Sequence, residues 1–177
     1  AKRRLQQLID EQELSYHYLY GATYVEKNFL KPVRVTTRFI LAPPGFTSPL
    51  NETDVEILLE QGISFGSGQH PTTRLCLAAI DSCLFETPLL NSTKNRFCAD
   101  IGTGSGVLAM ALVRSGLCSC HAYEIDPVSI NEARKNIALN RLAKKVTVIE
   151  DYFKEQKNKF FVIAANLRFP TLVDLSD

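Results

Sequence analysis

The residues best suited to chemistry lie in Cys98–Gly106, which reads Cys-Ala-Asp-Ile-Gly-Thr-Gly-Ser-Gly. A short apolar run ends in Asp100. Gly102, Gly104 and Gly106 follow at alternate positions, and an apolar run, Val107–Val113, comes next. The pattern predicts a strand, a tight turn and a helix. Glycines let the backbone take positive φ and let a ligand approach with no Cβ in the way. Such a turn presents bare N–H groups at a helix start, where polar and negatively charged ligand groups are favoured. The dinucleotide fingerprint is G-x-G-x-x-G, with its acid about 20 residues later. Here the spacing is G-x-G-x-G, with an acid two residues before the first glycine. The plain alternative is an ordinary tight turn beside a solvated acid.

Three other places could join that turn. Gly62–Thr73 holds three glycines, His70-Pro71 and a threonine pair at the mouth of a predicted helix. Pro71 suits a first helical turn, because its missing N–H would be unpaired there anyway. Glu124 follows an apolar run directly, and Asp151 comes two residues after the predicted strand Val146–Ile149. Asn166 ends the run Phe160–Ala165, at the carboxyl end of a predicted central strand, where ligands bind in open α/β sheets. Asparagine there also suits a helix N-cap, and the two roles are compatible.

The Asp100–Gly106 run resembles motif I of the class I S-adenosylmethionine (SAM) methyltransferases. Ser64–Thr73 resembles the A/S-F-G-T-G-x-H-P-T-T signature of the ribosomal protein L11 methyltransferases, and Ala165-Asn166-Leu167 resembles their V-A-N-I/L motif. The resemblance implies SAM as cofactor, with Asp100, Gly102, Thr103, Gly104 and Gly106 beneath it. Glu124, with Ile125 beside it, would hold the ribose hydroxyls, and Phe65 and Thr72 would close over the cofactor. Asp151 would contact the adenine amine, although the glycine that usually precedes that acid is absent. Asn166 would orient the acceptor nitrogen as the catalytic residue, and His70 would fix its loop by hydrogen bonding. The implied reaction is methyl transfer to an amine of a protein, ribosomal protein L11 or similar. Another protein or a small molecule as acceptor is one rival, and a SAM-binding module without catalysis is another.

Composition narrows the partners. The formal charge of +1 argues against electrostatic capture of nucleic acid as the main activity. The tyrosines at 16, 18, 20 and 24 have no basic residues interleaved, so packing explains them better than base stacking. No apolar run approaches membrane-spanning length. Five cysteines, none in a C-x-x-C pair, fit reduced and mostly buried thiols in a cytoplasmic protein, with no metal implied.

These residues need a scaffold of alternating strands and helices. At 177 residues one domain plus an appendage is expected. Lys2–Tyr20 is predicted helical, as part of an N-terminal segment or linker over 1–32. Val33–Leu41 and Val55–Leu59 are predicted strands, paired as a hairpin. A helix over Thr72–Phe85 follows, then strands at Phe97–Ile101, Cys118–Ile125, Val146–Ile149 and Phe160–Ala165. Helices connect them at Val107–Leu117 and from Asp126-Pro127 onward. The last strand, continuously apolar, should be buried on both faces. The expected fold over 33–177 is α/β and Rossmann-like, of the class I methyltransferase kind. Its sheet is mostly parallel with helices on both faces. The class sheet runs 3-2-1-4-5-7-6, and this chain stops just after the fourth strand. It also has too few residues before Val33 for the family's substrate-recognition domain, so it reads as a piece of a longer protein.

Overall fold

The computed structural model describes residues 2–11, 14–19, 22–27, 31–46, 49–60, 70–86, 96–153 and 159–176. The N-terminal segment forms α1 (Lys2–Asp10), β1 (Leu14–Leu19) and β2 (Ala22–Lys27). The predicted helix therefore ends ten residues early. β1 and β2 pair antiparallel, with Tyr16 opposite Val25 and Tyr18 opposite Thr23. Alternating Ser15, Tyr16, His17 and Tyr18 favour a pleated strand over a helix.

A small second sheet comprises β3 (Val33–Arg34), β4 (Phe39–Ala42) and β5 (Val55–Leu58). Here two expectations fail. The single strand expected over Val33–Leu41 is folded on itself, because Thr36 Oγ1 accepts from the amides of Arg38 and Phe39 and makes a tight turn. And β5 runs parallel to β4, not antiparallel as a hairpin would. The bidentate pair of Arg34 with Asp54 ties the start of β5 beside β3.

The main sheet contains β6 (Phe97–Ile101), β7 (Ser119–Tyr123), β8 (Val146–Ile149) and β9 (Val162–Ala165). All its pairings are parallel, in the order β8-β7-β6-β9. Numbered within this sheet, that is the expected 3-2-1-4. The intervening helices are α2 (Pro71–Asp81), continued by a π-helical turn at Ser82–Glu86, then α3 (Val107–Arg114) and α4 (Pro127–Leu139). A short α5 (Phe169–Ser176) follows β9.

Helix α3 is the centre of the core. Val107 through Val113 are all buried, packed with Leu77 of α2, Ile57 of β5 and Cys98, Cys120 and Ala122 of the sheet. Helix α4 starts as expected, with Asp126 Oδ2 accepting from the Ser129 amide and Pro127 in the first turn. It buries Ile130, Ala133 and Ile137. The other face of the sheet carries an edge-to-face aromatic cluster of His121, Tyr123, Phe153 and Phe160.

Two burial expectations are corrected. Ile163 of β9 is 50% exposed, so this strand is not buried on both faces. Its outer side has no strand partner among the described residues. Of the five free cysteines only Cys98 and Cys120 are buried, while Cys83 and Cys118 are exposed. Cys118 falls just before β7 and so escapes the sheet.

Candidate functional site

The strand ends meet at one cavity of about 680 Å³. Gly102 and Gly104 supply its floor from the turn after β6. Glu124 and Ile125 come from the end of β7, Asp151 from the end of β8 and Asn166 from the end of β9. Thr72 reaches it from the first turn of α2. Sequence-distant residues meet here because parallel strands all end on one side of the sheet.

The turn has the conformation its glycines allow. Gly102, Gly104 and Gly106 have φ of +68°, +54° and +82°. At Gly102 a Cβ would run into the Leu167 side chain. The positive φ makes the position specific for glycine, and a Cβ would in addition force the tip of the Leu167 side chain aside.

Glu124 organises the turn electrostatically. Its Oε2 accepts from the Gly104 amide at 3.0 Å, and its Oε1 accepts from the amides of Ile125 and Asp126 at 2.9 and 3.1 Å. Asp100, Thr103 and Gly106 lie behind the cavity wall. Asp100 is 1% exposed. Its Oδ2 accepts from Thr103 Oγ1 at 2.6 Å and from the Ala109 amide at 3.0 Å, while its Oδ1 has no hydrogen-bond partner among the described residues. Burial pushes its carboxyl up to about 6, against the pull of those two donors, and the nearby Glu124 charge adds to the rise. A buried acid with a spare oxygen in this turn fits a cationic or hydrogen-donating ligand group.

The other expected residues divide. Asn166 Nδ2 donates to Thr73 Oγ1 at 3.3 Å. His70 caps α2, its Nδ1 accepting from the Thr72 amide and lying 2.8 Å from Thr72 Oγ1. The loop that His70 is expected to fix, residues 61–69, lies outside the described residues. Among the described residues Asp151 accepts from the neighbouring Tyr152 amide at 2.7 Å. Phe65 lies outside the described residues.

Sequence reasoning missed part of the wall: Tyr152, Phe153, Leu167, Arg168, Thr171 and Leu175. The first two directly follow Asp151, and the rest follow Asn166, so adjacency to those residues was the available signal. It also missed Asn136, which is fully buried and bonded to the turn.

A parallel sheet in this order, with a glycine turn and acids at successive strand ends, defines the Rossmann-like methyltransferase fold. The sequence profile described as ribosomal protein L11 methyltransferase (PrmA) matches residues 22–177. The chain is 38% identical over 146 residues to a ribosomal protein L11 methyltransferase of Pelobacter propionicus, covering 82% of this chain and 46% of the relative. It is 37% identical over 144 residues to that of Exiguobacterium sibiricum, covering 80% and 42%. A crystal structure of the ribosomal protein L11 methylase from Lactobacillus delbrueckii subsp. bulgaricus superposes with a TM-score of 0.69 at 28% identity, covering 82% of this chain and 70% of that one. The chain belongs to the ribosomal protein L11 methyltransferase family. It spans less than half the length of these two sequence relatives. No helix among the described residues is long and apolar enough to cross a membrane.

Proposed function

We propose that the chain carries the SAM site of a cytoplasmic methyltransferase acting on an amine nitrogen of a protein, ribosomal protein L11 or similar. We place the methyltransferase domain at 33–177, with 1–32 as an N-terminal segment. One observation carries the reading. Thr72, Gly102, Gly104, Glu124, Ile125, Asp151 and Asn166, each expected from motif resemblance, line a single cavity. The unpartnered Oδ1 of buried Asp100 supports a cationic ligand group beside the turn.

When bound, SAM supplies a methyl group already activated on a sulfonium. The chain's own task is therefore placement. The glycine turn lets the cofactor approach the backbone with no Cβ in the way, its glycine amides being paired with Tyr123, Glu124 and Thr103. The Glu124 carboxylate would hold the nucleoside, and Thr72 and Phe65 would cover it. Asn166 commits its Nδ2 to Thr73, which leaves Oδ1 to accept from the acceptor amine and aim its lone pair. The apolar walls from Ile101, Tyr123 and Phe153 exclude water. Alignment of this kind supplies as much as about 7–11 kcal/mol in favourable systems.

The test is incubation of the full-length protein with purified ribosomal protein L11 and methyl-labelled SAM. Label in L11, lost in Asn166→Ala, is the expected result. Label in another acceptor but never in L11 would overturn the substrate.

A further inference from the structure

We propose that Asn136 is a positioning residue for the cofactor turn: it holds the Ser105 carbonyl so that Asp100 keeps the Ala109 amide. The role deepens the function proposed above and rests on it. Asn136 lies on α4, is fully buried, and touches neither the cavity nor Asp100.

The first amides of any helix lack an intrahelical partner and need a cap. The N-cap of α3 is Gly106, which has no side chain to cap with. Asp100 takes that role from the neighbouring strand, accepting from Ala109, the third residue of the helix. The first ladder bond, Met110 to Gly106, forms normally. The Ser105 carbonyl is one residue earlier, and its natural donor would be that same Ala109 amide. Ser105 is 1% exposed, so its carbonyl needs another donor. Asn136 Nδ2 provides it at 2.9 Å.

Without that amide the Ser105 carbonyl loses the donor from α4, and rolling the turn into one more helical turn replaces it with the Ala109 amide. Ala109 then bonds Ser105, and Asp100 loses a partner. The same side chain fixes a second point, because Asn136 Oδ1 accepts from the Glu60 amide at 2.9 Å. It therefore clamps the turn to the chain just beyond β5. Asn140, one turn later on α4, serves as an internal contrast. It accepts from the Leu58 amide and donates to the Leu58 carbonyl, pairing the same strand without touching the turn.

Among the described residues, the groups that act on Asp100 are Thr103 of the turn, Ala109 of α3, Glu124 after β7, Cys76 of α2 and Cys120 of β7. None lies on α4, so any effect of Asn136 on the Asp100 titration passes through the turn.

The experiment compares Asn136→Leu with Asn140→Leu by carbon-detected NMR titration of the Asp100 carboxyl, and by calorimetry with S-adenosylhomocysteine. Asn136→Leu should move the Asp100 midpoint upward by roughly half to one pH unit, the effect of one lost donor. It should also weaken S-adenosylhomocysteine about tenfold. Asn140→Leu should lower the melting temperature yet leave the midpoint unchanged and the affinity within about twofold. An unchanged midpoint in Asn136→Leu, or an equal shift in Asn140→Leu, overturns the proposal. Should Asn136→Leu fail to fold, the wild-type chain decides. The Asn136 side-chain amide resonances should titrate with Asp100, and resonances constant through that titration overturn the proposal. The titrations need no ligand, so a wild-type chain that binds no S-adenosylhomocysteine refutes the SAM reading without touching this one.

Discussion

Asp100 and Glu124 are both acids in one turn, and their surroundings give them different work. Glu124 is paired with three backbone amides. We expect Glu124→Ala to weaken S-adenosylhomocysteine binding by about 1.5–3 kcal/mol, the worth of a charge-assisted hydrogen bond. Affinity unchanged in calorimetry would remove it from the site. Asp100 is buried with one oxygen unpaired, and its carboxyl is raised from 3.8 to about 6. The native state therefore holds an extra proton between those values. Stability from this group is greatest below about pH 4, falls as pH rises to about 6, and is flat beyond. The ionised form costs the fold about 3 kcal/mol at neutral pH, at 1.36 kcal/mol for each pH unit of the shift. Asp100→Asn should raise urea stability at pH 8 by about 1–2 kcal/mol, less than the full amount because the new amide needs acceptors. It should also weaken ligand binding, a trade of stability against function. A variant less stable than wild type at pH 8 contradicts this account of Asp100. The acids and glycines were legible in the sequence because spacing alone marks them. The buried state of Asp100 was not, since it depends on α3 lying across it.

At the scale of elements, the strand-turn-helix unit of β6 and α3 depends on Gly102. Its φ of +68° costs a residue with a Cβ about 1–2 kcal/mol, and Leu167 blocks the space as well. Gly102→Ala should lower stability by more than the backbone strain alone. Adding Leu167→Ala should relieve the steric part and leave the strain, which a double-mutant cycle in urea measures. Additive losses would mean that the two residues do not meet. The main-sheet elements were legible, and Val146–Ile149 matches to the residue, because each apolar run sits between clear breaks. The N-terminal elements were not. A helical pattern over Leu5, Leu8 and Ile9 ran into Tyr16 and Tyr18, whose period is two, and the change of period marks the end of α1. Asn136 also left a signal. Ala133, Asn136, Ile137 and Asn140 share one helix face, and a polar residue at core spacing points to a buried partner.

At the scale of the molecule, the small sheet is fastened to the large one by polar clamps as well as by core packing. Asp81 of α2 accepts from Arg38 Nη1 at 2.7 Å, from Thr37 Oγ1 at 2.8 Å and from the Arg38 amide. Burial alone would raise its carboxyl, but hydrogen bonds from Thr36, Arg38 and Thr37 outweigh that and lower it. Its contribution is thus present above pH 3.8 and lost as pH falls below it, opposite in sign to that of Asp100. Asp81→Ala should cost about 1–3 kcal/mol at pH 7 in a urea melt, below the figure for a fully buried pair because Arg38 is partly exposed. A loss below about 1 kcal/mol would show that packing alone holds the small sheet in place. The parallel order of the main sheet was legible from alternating strands and helices. The parallel course of β5 beside β4 was not, because the contacts that accompany it, Asp54 with Arg34 and Asn140 with Leu58, join residues far apart in sequence.

The central claim is that this glycine turn and these strand ends bind a SAM-type nucleoside. The most direct measurement is calorimetric titration of the chain with S-adenosylhomocysteine, with NAD as the control. Micromolar binding of S-adenosylhomocysteine, none of NAD, and a tenfold or greater loss in Glu124→Ala are predicted, a tenfold loss being about 1.4 kcal/mol. Binding of NAD instead, or no binding of S-adenosylhomocysteine to a chain that circular dichroism shows to be folded, would contradict it.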